Sequence, residues 1–470
     1  MVLTLRHLRD LWGDPNFCGC TDLNLDEPLG PVCTDSRKLT KGSLYIPLQG
    51  DNFDGHNFLH EVAQRDPQAT IVSKTACVDI PSGLIYWIVD DTLKAYQQLA
   101  LLHRNLLDIP VVAVTGSTGK TTTRELIKAS LLSLGNIVAS VDNNNNDIGV
   151  PLTLLSADKT HKALVVEMGM RGLGQIHRLS RYTEPDIAVI TNIGSAHIGL
   201  LGTRQNIAKA KCEVTSFLKP AGLVVIPAGE PLLESELKKK WNGRVLRVAL
   251  QDQASLPVSN YNDLYSQGLP NADLIGDVLL DQCILNLDGQ SYQLPLEGRH
   301  NALNFLFAIA VARELGVGLS NLKQIKTSLP AGRHKCIKIA GINYIDETYN
   351  ASPESVIASL NLLVTKPGRH FAVLGRMFEL GEQSMALHKK VANHVAALEL
   401  DGLVIVADGP EANEMVKEAK SINNLAVVSS PEDAVVPLNN WLVSGDNVLF
   451  KGSRAVALER LLRLLRVRET

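Results

Sequence analysis

No stretch of the 470-residue chain approaches the roughly 18 consecutive apolar residues of a membrane span, and Met1 to Asp14 lacks the continuous apolar segment of a secretion signal. Both classes drop out, and a cytoplasmic location is expected. Cysteine is sparse and odd in number, seven in all, and the only close pair, Cys18 and Cys20, does not have zinc-ribbon spacing. Reduced thiols are expected. An excess of one charge is also missing: 46 Lys and Arg stand against 49 Asp and Glu, so no global field recruits nucleic acid or an anionic membrane. Any anion must be held locally. There is no internal repeat, and the only low-complexity stretch is the asparagine run Asn143 to Asn146.

What is present reads as ordinary globular protein, 45% hydrophobic and 20% charged, long enough for roughly three domains. The first 90 residues mix short apolar runs, Gly42 to Leu48 and Ala69 to Val72, with many turn residues, as a small α/β unit does. Helical periodicity from Leu93 to Leu107 is broken by Asp108, Ile109 and Pro110, the expected entrance to a second domain. Beyond it the β-branched runs Val111 to Val114, Ile137 to Val141, Ala163 to Val166, Ile187 to Ile190 and Leu223 to Ile226 alternate with helical segments, which implies a buried parallel sheet. Asp252 to Gln293 is irregular with hairpin-like strands, and an amphipathic helix is expected from Ala302 to Leu315. After a turn at Pro330 to Arg333, the runs Phe371 to Leu374, Leu403 to Val406, Leu425 to Val428 and Val448 to Phe450 predict a second doubly wound domain. A last helix, Ala455 to Arg468, would present Arg460, Arg463, Arg466 and Arg468 as a solvated basic face beside leucines. The expected division is 1–90, 91–332 and 333–470.

The strongest chemical signal is VVAVTGSTGKTTT, Val111 to Thr123, a strand running into a glycine-bearing turn and then a helix near Lys120. In that context backbone N–H groups and the helix dipole converge on an anion, and Gly116 and Gly119 permit its close approach. Lys120 would meet the β and γ phosphates, and the Thr121 hydroxyl suits Mg²⁺. The general pattern also has an early glycine, a place taken here by Val114. Ligands for a metal are sought at the ends of the following strands. Glu167 closes Ala163 to Val166, and His197 follows Ile187 to Ile190 within TNIGSAHIG. Glu167 places a carboxylate at a strand end where a hard cation could sit, against the alternative of a surface carboxylate; His197 could serve a second metal or the transferring phosphate, though a histidine taken alone is more often structural. On IAKAKCEV, Ile207 to Val214, Lys209 and Lys211 share a helix of small and apolar residues, a setting in which one lysine can turn inward.

Taken in order, these fragments resemble the Mur ligases, the ATP-dependent amide-forming enzymes of peptidoglycan precursor synthesis. The resemblance rests on TDSRKLTKGSLYIPLQGDNFDGH (Thr34 to His56), TGSTGKTTT, NNNNDIGVPLTLL (Asn143 to Leu155), EMG (Glu167 to Gly169), NIGSAHIG and AKAKCE. It continues through GRHNALN (Gly298 to Asn304), DETYNASPES (Asp346 to Ser355), ELGEQS (Glu379 to Ser384) and KGSR (Lys451 to Arg454). It implies an α/β fold of three domains: a small N-terminal UDP-binding domain, a central phosphate-loop ATPase domain with a parallel sheet, and a Rossmann-like C-terminal domain. The activity implied is that of the dipeptide-adding branch, joining D-alanyl-D-alanine to UDP-N-acetylmuramoyl-tripeptide through an acyl phosphate while ATP becomes ADP. ATP and Mg²⁺ are the implied cofactors and a monomer is expected.

Carried over by motif, Gly116, Ser117, Thr118, Gly119, Lys120, Thr121 and Thr122 would hold the ATP phosphates, Asn301 and Asn304 would approach the adenine, and Arg333 would reach the phosphates from the hinge. The ribose contact falls to Asp346 or Glu347. Thr121, Glu167, His197 and Lys211 would serve metal, with Lys211 carbamylated and Lys209 the alternative. Ser36 and Arg37 would contact the uridine diphosphate, Asn145 and Asn146 would lie along the substrate path, and Asn350, Lys451 and Ser453 would face substrate. Lys120, His197, Lys211 and Arg454 form the implied catalytic set. Arg376 stands where the family has an acidic residue. A sister ligase adding a single amino acid, or folylpolyglutamate synthase, shares the phosphate loop. TDSR argues against folate, and EMG with DETYNASPES favours dipeptide addition. A non-catalytic nucleotide switch is the alternative of another class, though no NKxD guanine motif is present.

Overall fold

The computed structural model describes residues 2–17, 23–251 and 271–466. The pair Cys18 and Cys20, part of the irregular segment (252–270), and Arg468 lie outside the described residues. Among those described, no helix is long and apolar enough to cross a membrane.

Three main sheets follow one another along the chain, besides a two-stranded ribbon of Gln49–Gly50 and Phe53–Asp54. The first has the strand order Asn16–Phe17, Ile85–Val89, Ala69–Ser73, Leu44–Tyr45, Val32–Cys33, parallel except for its first pair. Helix Thr92–Leu107 then begins at Asp91, whose side chain accepts from the Lys94 N–H at 3.0 Å. Its buried Arg104 donates to the Thr183 carbonyl and to Asp186, so this helix is bonded to the second unit.

The second sheet has nine strands, in the order Gln290–Gln293, Ile284–Leu287, Leu274–Leu279, Arg244–Leu250, Leu223–Pro227, Ile187–Ile190, Val111–Thr115, His161–Glu167, Asn136–Ala139. Seven run parallel, and a hairpin extends one edge antiparallel. Val111–Thr115 is followed first by strands on one side of it and then, from Ile187 on, by strands on the other. Its carboxyl end therefore opens into the crevice where doubly wound sheets bind ligands. Val114, in place of the early loop glycine, is a fully buried strand residue paired with Glu167 and Val189, and the turn starts only at Gly116.

The helix expected to be amphipathic is not. Arg299–Glu314 is buried continuously from Asn304 to Ala312, packed against the sheet beside helix Lys120–Leu131, with Phe305 and Phe307 in the core. The strand drawn from Ile137 to Val141 ends at Ala139. The third sheet runs Lys335–Ile339, Ile342–Glu347, Asn447–Lys451, His370–Gly375, Gly402–Val406, Asn424–Val428, antiparallel only at its first pair. The last helix is Glu459–Arg466 rather than starting at Ala455, because Arg454–Val456 forms a separate short turn and Ala457 takes a positive φ of 57°. Leu458, Leu461, Leu462 and Leu465 are buried while Arg460 pairs with Glu432 at 2.5 Å.

Candidate active site

Loops at the carboxyl edge of the central sheet face the C-terminal unit across a cleft of about 1410 Å³, larger than the ~300–1,000 Å³ of most single-ligand pockets. Helix Lys120–Leu131 points its amino end into that cleft. The first-turn N–H groups have no intrahelical acceptor and are free to meet an anion. Gly116 sits at φ 147°, and a Cβ there would fall 1.9 Å from Thr191 Oγ1. Gly119, at φ 77°, is pressed against Asn304, 2.9 Å from a would-be Cβ to Oδ1. Lys120 Nζ folds over its own loop, donating to the carbonyls of Gly116 and Ser117 at 2.9 and 3.3 Å. Burial lowers its pKa, Arg333 adds to the effect, and Glu167 opposes it.

Glu167 ends its strand buried, 1% exposed, and collects donors on both oxygens. Thr121 Oγ1 donates to Oε2 at 2.8 Å, Arg124 Nη1 to the same oxygen at 3.0 Å, and Asn145 Nδ2 to Oε1 at 2.8 Å. A hydroxyl and a carboxylate held together at the phosphate loop are the hard-oxygen donors that Mg²⁺ takes beside nucleotide phosphates. The donor chemistry fits the metal.

Lys211 is the inward lysine and Lys209 the exposed one. Lys211 is 0% exposed and its Nζ has no hydrogen-bond partner among the described residues. Burial holds its pKa well below the ordinary lysine range, with Lys120 contributing and Glu167 and Glu213 opposing. Glu213 is itself engaged, accepting from the Gly174 and His177 N–H groups. Its lowered pKa and lack of a partner favour the uncharged form, which is the form of an amine that adds to CO₂.

His197 takes a positive φ of 66° and its Nδ1 bonds Glu379 of the C-terminal unit. Burial, with the nearby charges of Lys120 and Lys211, pushes its pKa down to about 4, although Glu379 opposes this. Arg171 approaches the other Glu379 oxygen at 3.5 Å.

On the opposite wall, Lys451 donates to Glu347 Oε2 at 2.9 Å and His334 lies 3.6 Å from Oε1. Burial alone would raise the Glu347 pKa, but Lys451 and His334 hold it well below the usual carboxylate range. Glu347 lines the cleft, whereas Asp346 is turned into its own loop and accepts from the Thr348 N–H and hydroxyl. Arg333 stacks on Tyr349, 3.9 Å from the ring centroid, and its Nε has no partner among the described residues. Asn350, Ser453 and Arg454 also line the cleft; Ser453 Oγ accepts from the Phe378 N–H, and Arg454 lies 3.5 Å from Glu459.

Asn301 and Asn304 sit beside the phosphate loop, where Asn304 accepts from Thr123 and donates to Asn301. Asn146 lines the cleft, but its Oδ1 is occupied by the Ile148 and Gly149 N–H groups. Ser36 and Arg37 lie apart on the short helix Ser36–Lys38, Ser36 buried and Arg37 paired with Asp35 at 2.9 Å. Arg376 is tied to Glu411 at 2.8 Å.

Sequence reasoning overlooked several members of this arrangement. Asn192 accepts from the Ser117 and Thr118 N–H groups at 3.1 and 2.9 Å and so shapes the phosphate loop. It lies within TNIGSAHIG, as Glu379 lies within ELGEQS and Glu354 within DETYNASPES. Those motifs were the available signal. Nothing in the sequence marks Arg124 as a buried partner of Glu167.

Fold and site together define a phosphate-loop ligase-like enzyme whose nucleotide cleft is closed by a second α/β domain. Residues 114–312 match the Mur ligase middle domain and 332–454 the Mur ligase, glutamate ligase domain. The chain belongs to the Mur ligase family. It is 38% identical to the UDP-N-acetylmuramoyl-tripeptide--D-alanyl-D-alanine ligase of a Synechocystis strain, over 93% of this chain and 92% of that one. The enzyme of the same name from Escherichia coli is 31% identical, over 94% of each chain. Among solved structures, MurF from Acinetobacter baumannii superposes with a TM-score of 0.82 at 28% identity, covering 98% of both chains. MurF from Thermotoga maritima in complex with ADP gives 0.78 at 28% identity, covering 94% of this chain and 99% of that one.

Proposed function

We propose that the chain is the ATP-dependent ligase that joins D-alanyl-D-alanine to UDP-N-acetylmuramoyl-tripeptide, acting in the cytoplasm as a monomer. Residues 1–90 would hold the UDP end through Ser36 and Arg37, 91–332 the nucleotide, and 333–470 the incoming dipeptide. The observation that carries this reading is the cleft itself, where Lys120, Thr121 and Glu167 on one wall face Lys451 and Arg454 on the other.

A carboxylate is a poor acylating agent because oxide would have to leave, so the tripeptide carboxylate must first be activated. Its oxygen attacks the γ-phosphorus, the bond from that phosphorus to the ADP oxygen breaks, and an acyl phosphate results. Lys120, poised over its own loop carbonyls, moves onto the γ-phosphate oxygens as charge develops there. Thr121 and Glu167 would hold Mg²⁺, which supplies Lewis-acid stabilisation of phosphate charge when bound. Lys211, as its carbamate, and His197 would serve a second cation. The neutral dipeptide amine then attacks the acyl carbon, phosphate departs with the bonding pair, and the amine's proton is released to leave the amide. Arg454 and Lys451, which line the cleft, would supply the cations for the oxyanion and the dipeptide carboxylate. Glu347 takes the ribose and Asn301 and Asn304 the base, while seating of the last domain excludes the water that would hydrolyse the acyl phosphate.

The test is phosphate release from ATP with each substrate omitted in turn. The reading requires release to depend on both the UDP-linked tripeptide and D-alanyl-D-alanine; full turnover without them would point to a nucleotide switch.

A further inference from the structure

The phosphate loop is not held by its own strand and helix alone. Its shape is also fixed by the segment 191–195, which follows the neighbouring strand. Thr191 Oγ1 donates to the Thr118 carbonyl at 2.5 Å, Asn192 takes the Ser117 and Thr118 N–H groups and returns a bond to Thr118 Oγ1 at 2.6 Å, and the Gly194 N–H donates to Ser117 Oγ at 2.9 Å. The far side of the same segment is gripped by the C-terminal domain. Glu354, in the first turn of helix Pro353–Leu363, accepts from both the Ser195 N–H and the Ser195 hydroxyl on one oxygen, each at 2.8 Å. Gly194 is pressed between the two sets of bonds: a Cβ there would meet the Glu354 carboxyl carbon at 3.0 Å. The residue bonded to the phosphate loop and the residue bonded to the other domain are thus neighbours in the chain.

We propose that Glu354 is a positioning residue through which seating of the C-terminal domain sets the shape of the phosphate loop, with Ser195 as its direct partner. The inference rests on reading that loop as the nucleotide site. Nucleotide affinity then belongs partly to the domain arrangement: with Glu354 seated, Ser195 and Gly194 are fixed, and Ser117 is fixed through Gly194, which holds the turn that leads into the helix at Lys120. When Glu354 withdraws from Ser195, the segment can slide and the cradle loosens. The second Glu354 oxygen is buried with no hydrogen-bond partner among the described residues, so the carboxylate is committed to Ser195.

Glu354 lines the cleft, so a change there could act on a ligand directly. Ser195 does not line it and is 4% exposed, which makes Ser195→Ala the discriminating variant. The experiment measures ADP affinity with Mg²⁺ by calorimetry, and amide exchange over residues 116–122, on the full chain. Expected are an ADP affinity about tenfold weaker in Glu354→Ala, a few-fold weaker in Ser195→Ala, and faster exchange of 116–122 in both. Glu354→Gln keeps an acceptor oxygen and should stay within about threefold of the wild type. Wild-type affinity and wild-type exchange of 116–122 in both Glu354→Ala and Ser195→Ala would overturn the proposal. Failure of the unaltered chain to bind ADP would instead refute the nucleotide reading, and the exchange comparison, which needs no nucleotide, would still decide this one.

Discussion

Replacing Lys211 by methionine should make the protein more stable, and by an amount that depends on pH in a stated direction. The native amine is fully buried, has no hydrogen-bond partner among the described residues, and has its pKa pushed well below the ordinary 10.5, first by burial and then by Lys120. Between the lowered folded value and about pH 10.5 the unfolded chain binds a proton at this lysine that the folded chain gives up. Wild-type stability therefore rises with pH across the interval between the lowered folded value and 10.5. The slope from this one group is about 1.4 kcal/mol per pH unit. Methionine fills a similar volume and carries no proton, so it removes that slope and also relieves an orphaned polar group costing about 1–3 kcal/mol. The assay is urea unfolding of both proteins in CO₂-free buffer at two pH values one unit apart, such as about 8 and 9. The advantage of Lys211→Met should be larger at the lower pH. Parallel pH dependence of the two proteins would mean that the amine is charged or hydrated in the fold, and the carbamate would have no neutral precursor. In activity the order reverses: Lys211→Ala should be largely inactive and partly recover with a small added carboxylate.

Lys120→Ala removes the cation over the phosphate loop and should abolish phosphoryl transfer; near-normal turnover would contradict the site. Gly116→Ala places a methyl 1.9 Å from Thr191 Oγ1 at a φ of 147°, so nucleotide affinity should fall at least tenfold by calorimetry. His300 has its pKa lowered to about 4, chiefly by burial, so the wild type should lose stability as pH falls from about 6.5 to about 4; His300→Gln should show a shallower decline in urea midpoints. Lys451→Ala leaves Glu347 buried without its closest cation and should cost about 3–5 kcal/mol by denaturant titration above pH 4.5, shrinking as the carboxylate protonates at lower pH.

The fold was legible because both large sheets are built from short β-branched runs, buried on both faces and separated by helices, a pattern that composition cannot hide. The phosphate loop was legible because it is local: strand, turn and helix are contiguous from Val111 to Leu131. Lys209 and Lys211 lie two residues apart on a helix, about 200° around its axis, so spacing says that only one faces inward and leaves the choice to tertiary packing. Asp346 and Glu347 end one strand and alternate in the same way. Helix Arg299–Glu314 has no polar face because alanines, leucines and phenylalanines surround it on every side, which periodicity does not detect. The bonds from Glu354 and Glu379 to the 191–199 segment were illegible for a different reason: they join residues more than 150 positions apart across a domain boundary.

The most direct measurement is mass spectrometry of the product after incubation with UDP-N-acetylmuramoyl-tripeptide, D-alanyl-D-alanine, ATP and Mg²⁺. The expected product is the UDP-linked pentapeptide, formed together with equimolar ADP. ATP consumption with the tripeptide returned unchanged, or extended by a single amino acid and never by the dipeptide, would contradict it.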